Sequence, residues 1–127
     1  MAKKLCIVAA PQDEKAVAMM KRHMVLMLRN GLYSLVDDIE SANVVAIMMS
    51  NDMLVDDRAY AMSESAKRKR AAGACHVVPV LVEPMAEVPD HLVMLQFVPR
   101  NGKPARTDEQ WAEIASEFRA IAMKDAA

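Results

Sequence analysis

Asp13 and Glu14 stand side by side just after the first apolar run, where a carboxylate pair could hold a divalent cation for phosphoryl chemistry. That chemistry also needs an acceptor aspartate at the tip of the central strand. The chain offers Ser50-Asn51-Asp52 there, with the acid two residues late. Asp13 and Glu14 therefore read as first-turn acids favoured by a helix dipole, and a phospho-receiver-like switch fails at its acceptor position. The stretch Ala10-Pro11-Gln12-Asp13-Glu14 contains neither GxGxxG nor a Walker-type GxxxxGK, so the backbone cradle of a Gly-rich phosphate loop is missing. His23, His76 and His91 are scattered over a helix face, a strand and a loop, and no Ser-His-Asp arrangement can be assembled from them. Glu64 is the one carboxylate near a carboxyl-end loop that could act as a lone acid. Its plainer reading is a solvated helix residue pairing with Lys67 or Arg68.

Cys6 and Cys75 each sit in an apolar run without zinc-ligand spacing, as small buried hydrophobes of a reducing compartment do. No metal is expected. The basic run Lys67-Arg68-Lys69-Arg70 covers more than one helical turn. It reads either as a solvated helix end that complements the dipole or as one half of a contact between copies. The other half would come from the acidic clusters Asp37-Asp38-Glu40 and Asp52-Asp56-Asp57, met head to tail.

The elements that must carry these residues follow from periodicity. Lys3 to Ala10 is a continuous apolar run closed by Pro11, a strand buried on both faces. Val17, Met20, Met24, Met27 and Leu28 form one stripe of a helix from Gln12 to Asn30, stopped at Gly31. Leu32, Leu35, Val36 and Ile39 are spaced like a short helix over 32–42, with a strand stub at 32–36 as the alternative. Asn43 to Met49 is the central strand, ended by the capping chemistry of Ser50-Asn51-Asp52. A helix from about Asp57 to Ala72 ends at Gly73. Ala74 to Val82 is a third buried strand whose Pro79 argues for a sheet edge or a bulge. Leu92 to Val98 reads as a short strand. The last helix opens on a capping box, Thr107 with Gln110, and buries Trp111, Ile114, Ala115, Phe118, Ile121 and Ala122.

Apolar strands alternating with amphipathic helices specify an α/β domain, a small doubly wound, flavodoxin-like parallel sheet of about four strands with helices on both faces. The strands come from residues near 4, 43, 75 and 92. At 127 residues the chain is one domain, 1–127, and should bury roughly 65 to 68% of its unfolded surface. Its 16 Lys+Arg nearly cancel 17 Asp+Glu, which leaves no basic field for nucleic acid. The apolar stretch Leu5 to Ala10 is too short for a signal segment or a membrane span, so a cytoplasmic location is expected. The twelve methionines read chiefly as core, with an adaptable binding face as the alternative.

Four segments, KKLCIVAAPQDEK, IESANVVAIMMSNDML, AGACHVVPVLVEP and LVMLQFVPRNGKPARTDEQW, together resemble the Toll/interleukin-1 receptor (TIR) domain family, in particular its prokaryotic branch. The family's pattern places there a first strand with an acidic helix opening, an apolar strand ending in Ser-x-Asp, a Val-Ile-Pro-Val strand and a Gly-Lys-Pro loop, matched here by Gly102-Lys103-Pro104. The resemblance implies protein interaction in signalling or bacterial defence, with the domain itself or another TIR-like domain as partner.

In NAD-cleaving members it also implies a glutamate in the helix after the central strand and polar residues in the loop after the first. This chain departs at both places. Its loop is Ala9-Ala10-Pro11, and the glutamate position, counted back from Ala66, falls on Met62. Counted forward from Ser50 it falls on Ser63 or, with slack, Glu64. Met62 and Glu64 point ~200° apart on an ideal helix. Between Leu32 and Asn43 the chain also lacks room for the family's second strand, its long following loop and a full second helix, so a sheet without that second strand is expected. The expectation is thus a truncated, degenerate TIR-like interaction module without a cofactor. An NAD hydrolase using Glu64 is the enzymatic alternative.

Overall fold

The computed structural model describes residues 2–124. Strand β1 (Lys3–Val8) runs into a single 3-10 turn, Pro11–Asp13, and then α1 (Glu14–His23) and α2 (Val25–Arg29). The two helices are one bent rod: Met24 N donates to Met20 O and Leu28 N to Met24 O, both at 3.0 Å, so the ladder continues through the break. Gly31, at φ 76°, takes the left-handed conformation that ends it.

Strand β2 (Tyr33–Val36) follows, then β3 (Val44–Met49), the short α3 (Asn51–Val55), α4 (Asp57–Ala71), β4 (His76–Leu81) and α5 (Asp108–Lys124). The sheet is all parallel, in the order β2-β1-β3-β4. Every residue of β3 is buried, as a central strand covered on both faces requires. One half of the core joins the strands to α1, α2 and α5 through Met20, Met24, Trp111, Ile114 and Phe118. The other half joins them to α3 and α4 through Met53, Ala59 and Ala66, and also takes in Leu92 and Leu95. The doubly wound architecture with four strands is as expected.

Three of the four strands are those expected from the sequence; the fourth lies elsewhere in the chain. The segment over 32–42 is not a helix. Residues 33–36 pair with β1 in the register Lys3↔Tyr33 to Cys6↔Val36, so the second strand is present. Tyr33 decides this: it is buried against α5, its hydroxyl donates to Phe118 O at 2.6 Å, and its ring meets Phe118 edge-on. Conversely, Leu92 to Val98 is not a strand. Leu92 and Leu95 are buried at turn spacing, with Leu92 N bonded to Pro89 O and Leu95 N to Leu92 O, and only Val98 bridges to Val80.

The link from β2 to β3 is unusual. Parallel strands of one sheet normally need a connection of a dozen or more residues, yet β2 returns past β1 to β3 through residues 37–43 alone. Asp38 turns this crossing by accepting from Ser41 N and Oγ, and Asn43 fastens it to β1 by accepting from Lys4 N at 2.9 Å. Lys69, from the last turns of α4, donates to the carbonyls of Ile39, Glu40 and Ala42 at 3.0, 2.6 and 2.7 Å. An ammonium therefore takes up backbone acceptors that a crossover helix would have satisfied internally. At the far side of the sheet β4 is the edge strand that Pro79 called for.

Candidate functional site

In a sheet whose order reverses beside β1, a ligand crevice is expected outside the carboxyl ends of the strands at that switch point. A cleft of about 760 Å³ lies there. Its floor is Ile7, Ala9, Ala10 and Pro11 at the end of β1. One wall is the α1 stripe Glu14, Val17, Ala18 and Lys21, spaced at one helical face. The opposite wall is Asp56, Arg58, Ala59 and Met62 from the start of α4, and Leu35, Val36 and Asp37 close the β2 side. Asp56 is fixed in position as the N-cap of α4, accepting from Ala59 N at 2.8 Å. The lining is apolar, with three acids (Glu14, Asp37, Asp56) and two bases (Lys21, Arg58) on the walls.

Met62 contributes to the cleft wall, whereas Glu64 is exposed and lies outside its lining. The residue between them, Ser63, is fully buried. Its hydroxyl donates to Tyr60 O at 2.6 Å and stands 2.9 Å from His91 Nε2, so the imidazole N–H is the donor of that second bond. The His91 ring also meets Tyr60 edge-on, with centroids 5.4 Å apart. Burial, opposed by the nearby Glu64, pushes the His91 pKa below its ordinary value; Lys67 lowers it further and Asp90 raises it. A serine-histidine contact was invisible in the sequence because the partners are 28 residues apart with no motif between them. With its serine sealed in the core, the pair fastens the 82–107 segment to α4.

Asp13 is buried and accepts a hydrogen bond from Ser50 Oγ, while Ser50 Oγ accepts from Met53 N at 3.1 Å as the N-cap of α3. The pair ties the opening of α1 to the tip of β3. Burial raises the Asp13 pKa, the Ser50 bond lowers it, and Asp52 and Glu83 raise it further. Asp52 stays at the α3 surface, where it does not supply the missing acceptor. Among the described residues no group of three or more His, Cys, Asp or Glu is arranged to hold a metal ion. Cys6 is buried, and burial with the neighbouring Asp38 and Asp37 pushes its thiol to about 11, which keeps it unreactive.

The four basic residues have separate surroundings. Lys69 is engaged by the 39–42 carbonyls, beside Asp38, whose carboxyl is held below its usual range chiefly by Ser41 and in part by Lys69. Arg68 bonds Ser65 Oγ at 3.0 Å, Lys67 is half-buried and Arg70 is exposed. Asp56 and Asp57 sit at the opposite end of the 15-residue α4, ~20 Å from the basic end. Asp37 is exposed on the cleft rim. The structure thus brings Lys69 and Asp38 together within one molecule and leaves Arg68 and Arg70 at the opposite end of α4 from Asp56 and Asp57.

The Gly102-Lys103-Pro104 loop is built on Gly102 at φ 76°. Gly102 and Pro104, with Leu81, Pro84, Met85, Val88, Val93 and Phe97, line a second, apolar groove of about 410 Å³. Arg100 anchors this region to α5 by a two-pronged contact with Glu117 at 2.6 and 3.0 Å.

Neither a protein-family model nor a curated protein matches the chain. Among solved structures it is similar to the TIR domain of the Toll-related receptor TRR-2 from the lower metazoan Hydra magnipapillata. That match has a TM-score of 0.61 at 18% identity and covers 91% of this chain and 97% of that one. The chain therefore has a TIR-like fold.

Proposed function

We propose that this chain is a non-catalytic TIR-like protein-interaction module, acting in bacterial signalling or defence inside the cell and recruiting itself or another TIR-like domain. One observation carries the non-catalytic part: of the three positions onto which the resemblance's glutamate can be counted, Met62 is the one in the α4 wall of the switch-point cleft, Ser63 is buried, and Glu64 lies outside the cleft. A thioether neither accepts nor donates a proton at neutral pH, and an exposed carboxylate outside the cleft cannot stabilise charge developing within it. The floor of Ala9, Ala10 and Pro11 supplies no polar side chain for a sugar hydroxyl. In this reading no cofactor is required, and NAD enters only with the enzymatic alternative. No helix among the described residues is long and apolar enough to cross a membrane.

The test is incubation of the concentrated protein with NAD, with and without a crowding agent, following nicotinamide release. No release above the buffer control is expected. Turnover that disappears in Glu64→Ala overturns the non-catalytic reading and installs the hydrolase.

A further inference from the structure

The two edges of the sheet are finished differently. At the β4 edge, Val98 lies alongside: Val98 N donates to Pro79 O at 2.9 Å and Leu81 N donates to Val98 O at 2.8 Å. Pro79 brings no N–H to that side, so the edge is both covered and blunted. At the β2 edge, among the described residues, no strand lies alongside. The register Lys4↔Ser34 and Leu5↔Leu35, with Lys3 N bonded to Leu32 O, fixes which groups point where. Ser34 and Val36 turn their main-chain groups to β1, and Leu35 and Asp37 turn theirs outward. The strand contains no proline, and the Leu35 side chain is 43% exposed.

We propose that the β2 edge is an interface with a second copy of this chain, the two β2 strands pairing antiparallel about a twofold axis at Leu35. The proposal rests on the reading of the chain as an interaction module and names its partner and surface. Charge selects the occupant and the direction. Exposed Lys4 is paired with Ser34 near the start of β2 and exposed Arg29 ends α2 four residues before it, while exposed Asp37, Asp38 and Glu40 follow its end. Antiparallel pairing sets the basic end of each copy against the acidic end of the other, twice by symmetry, while parallel pairing would set like charges side by side. Leu35 N–H and C=O then exchange bonds with their symmetry mates, and the sheet continues from one molecule into the next. Because Leu35 and Asp37 also line the cleft, the partner's strand borders it. A strand edge this short falls below the ~1,200 Å² of a standard interface, so the dimer is weak and concentration-dependent.

The experiment is sedimentation and light scattering of the whole chain up to about 1 mM at low salt, with amide exchange followed residue by residue. A dimer with Kd on the order of 10⁻⁴ M is expected, together with slower exchange at Leu35 and Asp37 as concentration rises. Leu35→Lys brings two ammonium groups to the axis and should weaken the dimer at least ~10-fold. Leu35→Pro removes the outward N–H while sparing the main-chain bonds to β1 and should do the same, with circular dichroism reporting that both variants are folded. A wild type that stays monomeric at about 1 mM overturns the proposal, as does a dimer indifferent to Leu35→Lys. If that indifferent dimer is instead abolished by Arg68→Glu with Arg70→Glu, the edge inference falls while the interaction-module reading stands, with the charged ends of α4 as its surface.

Discussion

Replacing Lys69 by methionine keeps the length and apolar stem of the side chain and removes only the ammonium that holds the 37–43 crossing. A hydrogen bond to a charged donor is worth about 1.5 to 3 kcal/mol net when buried, and a typical one about 1. The bonds to Ile39 O and Ala42 O are partly buried, whereas that to Glu40 O is exposed and water replaces it readily. Counting about 1 kcal/mol for each partly buried bond and nothing for the exposed one gives a loss of about 2 kcal/mol. That is a large fraction of the roughly 5 to 15 kcal/mol that holds a domain of this kind. It should lower the thermal midpoint by about 6 to 10 °C. Urea unfolding of Lys69→Met, Arg68→Met and Arg70→Met side by side measures it, because the two arginines are exposed and should stay within about 0.5 kcal/mol of wild type. Amides over 39–43 should also exchange faster in Lys69→Met alone. Lys69→Arg should recover only part of the loss, since a planar guanidinium cannot aim three donors at three converging carbonyls as an ammonium does. If Lys69→Met costs no more than Arg70→Met, the lysine is a solvated helix end and the crossing holds itself.

Two further substitutions probe buried polar contacts. The His91 pKa is lowered in the fold, so between that value and the unfolded value near 6.5 the unfolded chain binds more protons; the stabilisation is complete above about pH 7 and is lost as pH falls through 6.5 toward the folded pKa. Urea midpoints from about pH 7.5 to about pH 5.5 should therefore drop more in wild type than in His91→Gln, and equal slopes would refute this assignment. Tyr33→Phe keeps the edge-on contact with Phe118 and removes the 2.6 Å bond to its carbonyl. A loss of about 1 kcal/mol is expected in the same assay, and an unchanged midpoint would mean that the ring alone pins β2.

Features specified by a few neighbouring residues were legible in the sequence. Thr107 and Gln110 form their capping box, with Gln110 N bonded to Thr107 Oγ1 and Thr107 N to Gln110 Oε1, and Gly31 and Gly73 end their helices at positive φ. The unbroken run over 44–49 is the fully buried strand its composition implied. What failed was periodicity in short segments. Leu32, Leu35, Val36 and Ile39 match a helical spacing by coincidence, and four strand residues are too few for alternation to outvote it. In 92–98 the apolar run hides an i, i+3 pattern, Leu92, Leu95 and Val98, which are the buried ones. Of the candidate site, the departures from the TIR pattern at Ala9-Ala10-Pro11 and Met62 could be counted along the chain. The Ser63–His91 clasp and the grip of Lys69 on 39–42 join residues about 30 apart, so no local pattern announces them.

The brevity of the β2-to-β3 crossing also bears on how copies of this molecule can and cannot combine. Exchange of an element between protomers needs tethers long enough to reach a neighbour. Strand β2 has one tether of residues 37–43, about 24 Å at full stretch, already spent returning past β1, and another of only residues 30–32 back to α2. Held at both ends, β2 cannot leave its own sheet for another molecule's. Any assembly through this edge must add strand to strand between intact domains, and it can come apart again without either one unfolding.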